Sequence, residues 1–228
     1  SKQIVQPRST SSGFVAVDSH GWADVEITLV EPSASEAESI DVTCADDLLP
    51  KVHTRVDADV LVVETDDTSG IFRWGTQSYR DEASCVVHVR TQKLGRVSTS
   101  GSGDIAVKGA SAEGLDRVTV HGSGTVHVSS PLKTTGTLSL SSTGSGKVLV
   151  DSLEAADVQV EIRGSGEMRV AGVARSVRAR VSGSGDLDAQ GLRTEEGTAH
   201  VSGSGDCKLF ASRKVDIEAN GSGDVFVT

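Results

Sequence analysis

Residues 183–209 read GSGDLDAQGLRTEEGTAHVSGSGDCKL, and this stretch decides the fold. It begins on one Gly-Ser-Gly, at Gly183, and reaches a second at Gly203. After the first copy, Leu187 and Ala189 alternate with Asp188 and Gln190. After the second, Cys207 and Leu209 flank Lys208. Apolar residues two apart mark a strand with one buried side. Gly191 follows the first strand where a tight corner would fall.

The same unit recurs on both sides. Gly-Ser-Gly begins at Gly101, Gly122, Gly144, Gly164, Gly183, Gly203 and Gly221, at intervals of 21, 22, 20, 19, 20 and 18 residues. A period near 20 is the mark of a solenoid. Two residues past each motif stand Ile105, Val126, Val148, Met168, Leu187, Cys207 and Val225. Four past it stand Val107, Val128, Val150, Val170, Ala189, Leu209 and Val227. Six past it the residues are small: Gly109, Ser130, Ser152, Gly172, Gly191 and Ala211. A second alternating strand precedes the motif, as in Val118/Val120, Leu138/Leu140 and Val158/Val160/Ile162. One such unit cannot bury its apolar side, whereas stacked units can. The expected fold is all-β, a parallel β-helix with rungs roughly 4.8 Å apart. Gly-Ser-Gly would supply the positive φ and the close approach of stacked corners.

Composition agrees. The 228 residues include 25 Gly and 32 Val but only 3% aromatics. Aromatic side chains dominate many conventional cores, so columns of Val, Leu and Ile must do that work here. Glycine spacing excludes collagen. No apolar run approaches the roughly 18 residues of a membrane span, so no membrane insertion is expected. The net charge is −10. Residues 1–95 hold 8 Lys/Arg against 16 Asp/Glu, and residues 96–228 hold 14 against 16. That balance argues against nucleic acid as a partner, and it makes the first 95 residues the expected place for one. No signal-peptide pattern starts at Ser1, which says little, since a processed end would carry none.

The chain divides into irregular rungs over 1–95 and regular rungs over 96–228, expected to form one continuous domain. Strands are expected at Phe14–Val17, Val25–Val30, Ile40–Cys44, Val52–Val56, Val60–Val63 and Val86–Val89. Residues 66–83 read as an insertion loop. It carries Phe72, Trp74 and Tyr79, which as exposed aromatics would be candidate binding residues.

The sequence resembles a bacterial family described as "putative auto-transporter adhesin, head GIN domain". The residues that carry the resemblance are Phe14-Val-Ala-Val17, then Ile40-Asp-Val-Thr-Cys-Ala-Asp-Asp-Leu-Leu-Pro50, Val56 and Leu61-Val-Val63. Leu94 ahead of Ser100-Gly-Ser-Gly-Asp104-Ile105 and the later Gly-Ser-Gly-Asp copies complete it. It spans roughly Gly13 to Thr228, and it departs from the family at Thr91–Lys93, where members often have a proline. The resemblance implies a β-helix-like solenoid at the cell envelope or outside the cell. It supplies no catalytic residues.

The chemistry-bearing residues are sparse. Asp104, Thr125, Lys147, Glu167, Asp186, Asp206 and Asp224 follow the seven motifs. Stacking would put Glu167, Asp186, Asp206 and Asp224 in one column, where neighbouring charges repel by roughly 1 kcal/mol in water. Calcium would relieve this, but the spacing is not that of calcium-binding β-rolls. Aspartates bonded to the turn backbone are the expectation, with no metal and no cofactor. His20, His53, His88, His121, His127 and His200 follow no metal-binding pattern and read as surface residues. Cys44, Cys85 and Cys207 are odd in number and widely spaced, so three free thiols are expected, Cys207 in the inward column. No Gly-x-Ser-x-Gly elbow occurs.

The chain therefore reads as a non-catalytic binding or scaffold protein with a protein or surface-glycan partner. The alternative is a structural subunit docked in a larger assembly, with an organelle as one setting. A carbohydrate-active β-helix enzyme is a third reading. Val225 and Val227 on the last strand are candidates for self-association, since a bare strand edge invites pairing.

Overall fold

The computed structural model describes residues 2–9, 12–33, 35, 38–67 and 85–228. It is a β-solenoid. Among the described residues the only helical element is the 3-10 turn Leu49–Lys51.

Two long faces meet at the Gly-Ser-Gly corner. The upstream face contains the strands that lead into it. They are β2 (Ala16–Gly21), β5 (Val52–Asp57), β6 (Val60–Thr65), β8 (Arg96–Gly101), β11 (Arg117–Gly122), β14 (Thr137–Gly144), β19 (Glu196–Gly203) and β21 (Lys214–Gly221). The downstream face contains the strands that leave it. These are β1 (Gln3–Arg8), β3 (Asp24–Leu29), β4 (Ser39–Ala45), β7 (Val86–Thr91), β9 (Ile105–Gly109), β12 (Thr125–Val128), β17 (Asp186–Ala189), β20 (Cys207–Leu209) and β22 (Val225–Val227). A narrow third face holds β10 (Ala112–Glu113), β13 (Leu132–Lys133) and β18 (Leu192–Arg193). Strands β15 (Lys147–Gly164) and β16 (Glu167–Gly183) run unbroken through all three faces.

Regular rungs pair in parallel and in register, so like residues stack. Val118 pairs with both Val97 and Leu140, and Val126 with both Ile105 and Val148. The predicted inward columns are buried from Ile105 and Val107 through Cys207 and Leu209. On the last rung Val225 is half-buried and Val227 exposed, beside exposed Val215, Ile217 and Phe226.

The motif works through one repeated bond. Each Ser N–H donates to the first Gly carbonyl of the rung before, as in Ser145 to Gly122 at 3.0 Å and Ser165 to Gly144 at 2.9 Å. At Gly164, φ is +110°, and a Cβ would lie 2.6 Å from the Gly144 carbonyl oxygen. Only glycine satisfies both demands. Thr99 and Ser142 occupy the inward column, where their hydroxyls donate to the Gly103 and Gly146 carbonyls. Their burial is thereby satisfied.

The first 95 residues depart from sequential stacking. Strands β2 and β3 form an extra rung, with Gly21 in register with Gly101. Gly21-Trp22-Ala23-Asp24 is thus a degenerate Gly-Ser-Gly-Asp that spelling alone did not reveal. This rung lies between β6/β7 and β8/β9, so the chain leaves it, travels outward and returns. At that end β4 pairs antiparallel with β7, β1 with β4, and β5 with β6. Antiparallel pairing explains the irregular spacing there, because a hairpin needs no full turn of the solenoid.

The cysteine expectation is corrected here. Cys44 and Cys85 form a disulfide, and only Cys207 is free and buried. The β4–β7 register, ending at Thr43 opposite Val86, brings Cys44 and Cys85 to the next opposed position. Their separation of 41 residues hid the pairing, since β5 and β6 intervene.

Candidate functional site

The column after the motif is built as a ladder of carboxylate-to-amide bonds. Asp24 Oδ1 accepts from Asp104 N–H at 2.8 Å, and Asp104 Oδ1 accepts from Thr125 N–H at 2.7 Å. Asp186 accepts from Asp206 N–H at 2.9 Å, and Asp206 from Asp224 N–H at 3.0 Å. Where the preceding residue is not Asp, the amide turns to a glycine carbonyl instead. Lys147 N–H reaches Gly124, Glu167 N–H reaches Gly146 and Asp186 N–H reaches Gly166. Aspartate therefore appears where its short carboxylate can accept the amide of the next rung. Glu167 pairs with Lys147 at 3.0 Å. Among the described residues no group of three or more His, Cys, Asp or Glu side chains could hold a metal ion.

Burial lifts the carboxyl of Asp24 above its usual range, the Asp104 amide opposes this and the Asp104 charge adds to it. A carboxyl held high in the fold favours folding when protonated and opposes it when ionised. That contribution is present at low pH and is lost as pH rises through the folded value. Asp24→Asn keeps the Oδ1 acceptor and removes the charge. The expected result is a higher urea midpoint at pH 7, reflecting a gain of under ~1 kcal/mol in unfolding free energy, converging on the parent protein near about pH 3. Unequal midpoints at low pH and equal ones at pH 7 would reverse this reading.

The candidate aromatic residues Phe72, Trp74 and Tyr79 lie outside the described residues. The flanks of that segment are anchored. Thr65 Oγ1 accepts from Trp22 N–H, Asp66 O accepts from Trp22 Nε1–H at 3.0 Å, and Cys85 is in the disulfide.

Two groups resemble reactive centres. Burial pushes the Cys207 thiol up to about 12, which keeps it protonated and inert. Ser100 Oγ lies 2.5 Å from His20 Nδ1, and His20 Nε2 lies 3.0 Å from Asp18. The neighbouring Ser102 and Gly103 amides both donate to the Gly21 carbonyl, so they are not free to stabilise an oxyanion. His20 is 44% exposed, in a hydrated setting that does not favour such chemistry.

The upstream face offers a different kind of site. Outward from it, Arg96 stacks on Arg117, and the next rungs in that column carry Ser139, Gln159 and Arg178. The adjacent column reads Ser98, Thr119, Ser141, Glu161 and Arg180. A shallow depression of about 190 Å³ lies over β14–β16, lined by Ser139, Leu140, Ser141, Gln159, Val160, Glu161, Arg178 and Arg180. Glu161 is held by Arg163 at 2.7 Å, and Asp157 by Arg175 and Ser176. Those two bonds keep the Asp157 carboxyl below its usual range. Among the described residues Arg96, Arg117, Arg178 and Arg180 form no ion pair within 4 Å, and the Arg178 charge adds to the pull on Asp157. The downstream face mixes Asp24, Glu26, Asp104, Asp186, Asp188, Asp206 and Asp224 with Lys108, Lys147, Arg169 and Lys208, and Lys108 and Lys147 are ion-paired.

Sequence reasoning missed this face because it tabulated polar positions only after the motif. Counting five residues back from each Gly-Ser-Gly would have aligned Arg96, Arg117 and Arg178. The first 95 residues hold the excess negative charge, whereas Arg96, Arg117, Arg178 and Arg180 lie beyond them.

Solved structures share the architecture. A "putative lipid binding protein" from Parabacteroides distasonis superposes with a TM-score of 0.81 at 17% identity, covering 99% of this chain and 96% of that one. A "putative adhesin" from Parabacteroides merdae gives 0.72 at 16% identity, covering 100% and 96%. Another from Bacteroides fragilis gives 0.67 at 16% identity, covering 100% and 97%. At such identities the likeness concerns the fold. No curated protein matches the chain. The family model described as "Putative auto-transporter adhesin, head GIN domain" matches residues 13–228, in accord with the early motifs and the Gly-Ser-Gly-Asp copies, and the chain belongs to that family.

Proposed function

We propose that this protein is a non-catalytic, adhesin-like binding protein of the cell envelope or cell exterior, and that the upstream face is its contact surface. The observation that carries the reading is the set of Arg96, Arg117, Arg178 and Arg180 around a floor of Ser139, Ser141, Gln159 and the Arg163-paired Glu161, in a chain of net charge −10. In-register parallel strands make that floor rigid, which lowers the ordering cost of binding. The Cys44–Cys85 disulfide supports an oxidising compartment. Membership of an adhesin family supports a surface role. Among the described residues no helix is long and apolar enough to cross a membrane.

The test is a panel of immobilised matrix proteins and polysaccharides, probed with the parent protein and two variants. Ser141→Trp fills the depression from outside without entering the core. Lys208→Ser alters the downstream face. Retention on at least one surface should fall by about tenfold or more for Ser141→Trp and stay within about twofold for Lys208→Ser. Equal losses, or a loss confined to Lys208→Ser, would move the contact surface elsewhere.

A further inference from the structure

We infer that the upstream face takes an acidic polysaccharide, laid along the stacking direction across the rungs from β8 to β16. This rests on the proposal that the upstream face is the contact surface, and it names the class of ligand. Two cationic clusters bracket the floor. Arg96 and Arg117 lie on adjacent rungs at one end, and Arg178 and Arg180 share a rung at the other. From β11 to β16 are three rung steps, about 14 Å at the usual strand spacing. A single small anion cannot meet both clusters, whereas a chain bearing repeated carboxylates or sulfates can. Guanidinium groups suit such groups because they offer paired N–H donors in one plane.

The floor between the clusters favours a sugar polymer over other polyanions. Ser139 and Ser141 present hydroxyls that both donate and accept, the pairing that sugar hydroxyls need. The strands of this floor carry no Trp, Tyr or Phe. Aromatic anchors are the usual centre of a protein interface and the usual stacking platform for single-stranded nucleic acid; without them the grip rests on charge and hydroxyl bonding, which a densely charged polysaccharide can meet without ring stacking. The same floor has no apolar wedge to enter a lipid headgroup layer.

The probes are dextran sulfate, its uncharged parent dextran, polyglutamate, single-stranded DNA and anionic phospholipid vesicles. Dextran sulfate should bind and dextran should not. Raising salt from about 50 to 500 mM should weaken binding by more than about tenfold. The double variant Arg178→Ser/Arg180→Ser should lose about tenfold or more. Lys147→Ser/Lys208→Ser, which removes equal charge from the downstream face, should lose less than about twofold. Circular dichroism confirms that both variants remain folded. Equal losses in the two variants, or dextran binding as well as dextran sulfate, would overturn the inference. Tighter binding of polyglutamate, DNA or vesicles, still abolished by Ser141→Trp, would overturn the sugar assignment alone. Binding of every probe unchanged by Ser141→Trp would overturn the contact surface itself.

Discussion

Gly164→Ala is expected to destabilise the solenoid by about 3 to 5 kcal/mol. Two separable costs add. A φ of +110° is strained for any residue with a Cβ, at roughly 1–3 kcal/mol. The new methyl also meets the Gly144 carbonyl oxygen at 2.6 Å. That oxygen accepts the Ser165 amide, so it cannot retreat without weakening a rung-to-rung bond. Two other glycines divide the sum. Gly114 has φ +83° but open space around it, so Gly114→Ala should show strain alone, about 1 to 2 kcal/mol. Gly136 has neither strain nor a neighbour, and Gly136→Ala should change stability by under about 0.5 kcal/mol. Urea denaturation of the three variants checks the order. Equal effects at Gly164 and Gly136 would refute the corner account.

Removing the disulfide has the next largest expected effect. Cys44 and Cys85 close a segment of 41 residues. Loop-closure entropy of that size stabilises the fold by about 4 kcal/mol. The bond also joins β4 to β7, and through them ties the antiparallel end to the parallel rungs. Cys44→Ala/Cys85→Ala, or reduction by dithiothreitol, should therefore open the first rungs and lower the urea midpoint. Cys207→Ala should lower the midpoint less and leave the first rungs closed, because Cys207 is unbridged, belongs to a different rung and loses only a buried thiol. An unchanged midpoint after verified reduction would mean that strand pairing alone holds the N-terminal end.

The regular rungs were legible because each repeats one physical problem. Ile105, Val126 and Val148 fill one column, and the corner glycines fill another, so periodicity carries the answer. Trp22 and Ala23 stand where later rungs have Ser and Gly, and that substitution hid the extra rung. The disulfide was hidden by topology. Its partners are adjacent only because the chain doubles back before β8. The candidate surface was illegible for another reason. Net charge averages over the molecule, whereas parallel stacking brings side chains some 20 residues apart into one column. Arg117 and Asp104 are close in sequence yet belong to opposite faces.

The most direct measurement of the central claim is arginine protection in the unmodified protein. Phenylglyoxal labelling is read by peptide mass with and without dextran sulfate. The account predicts protection of Arg96, Arg117, Arg178 and Arg180, with Arg55, Arg193 and Arg213 labelled equally in both samples. Protection of Arg193 and Arg213 instead, or none at the four upstream positions while the polymer is bound, would contradict it.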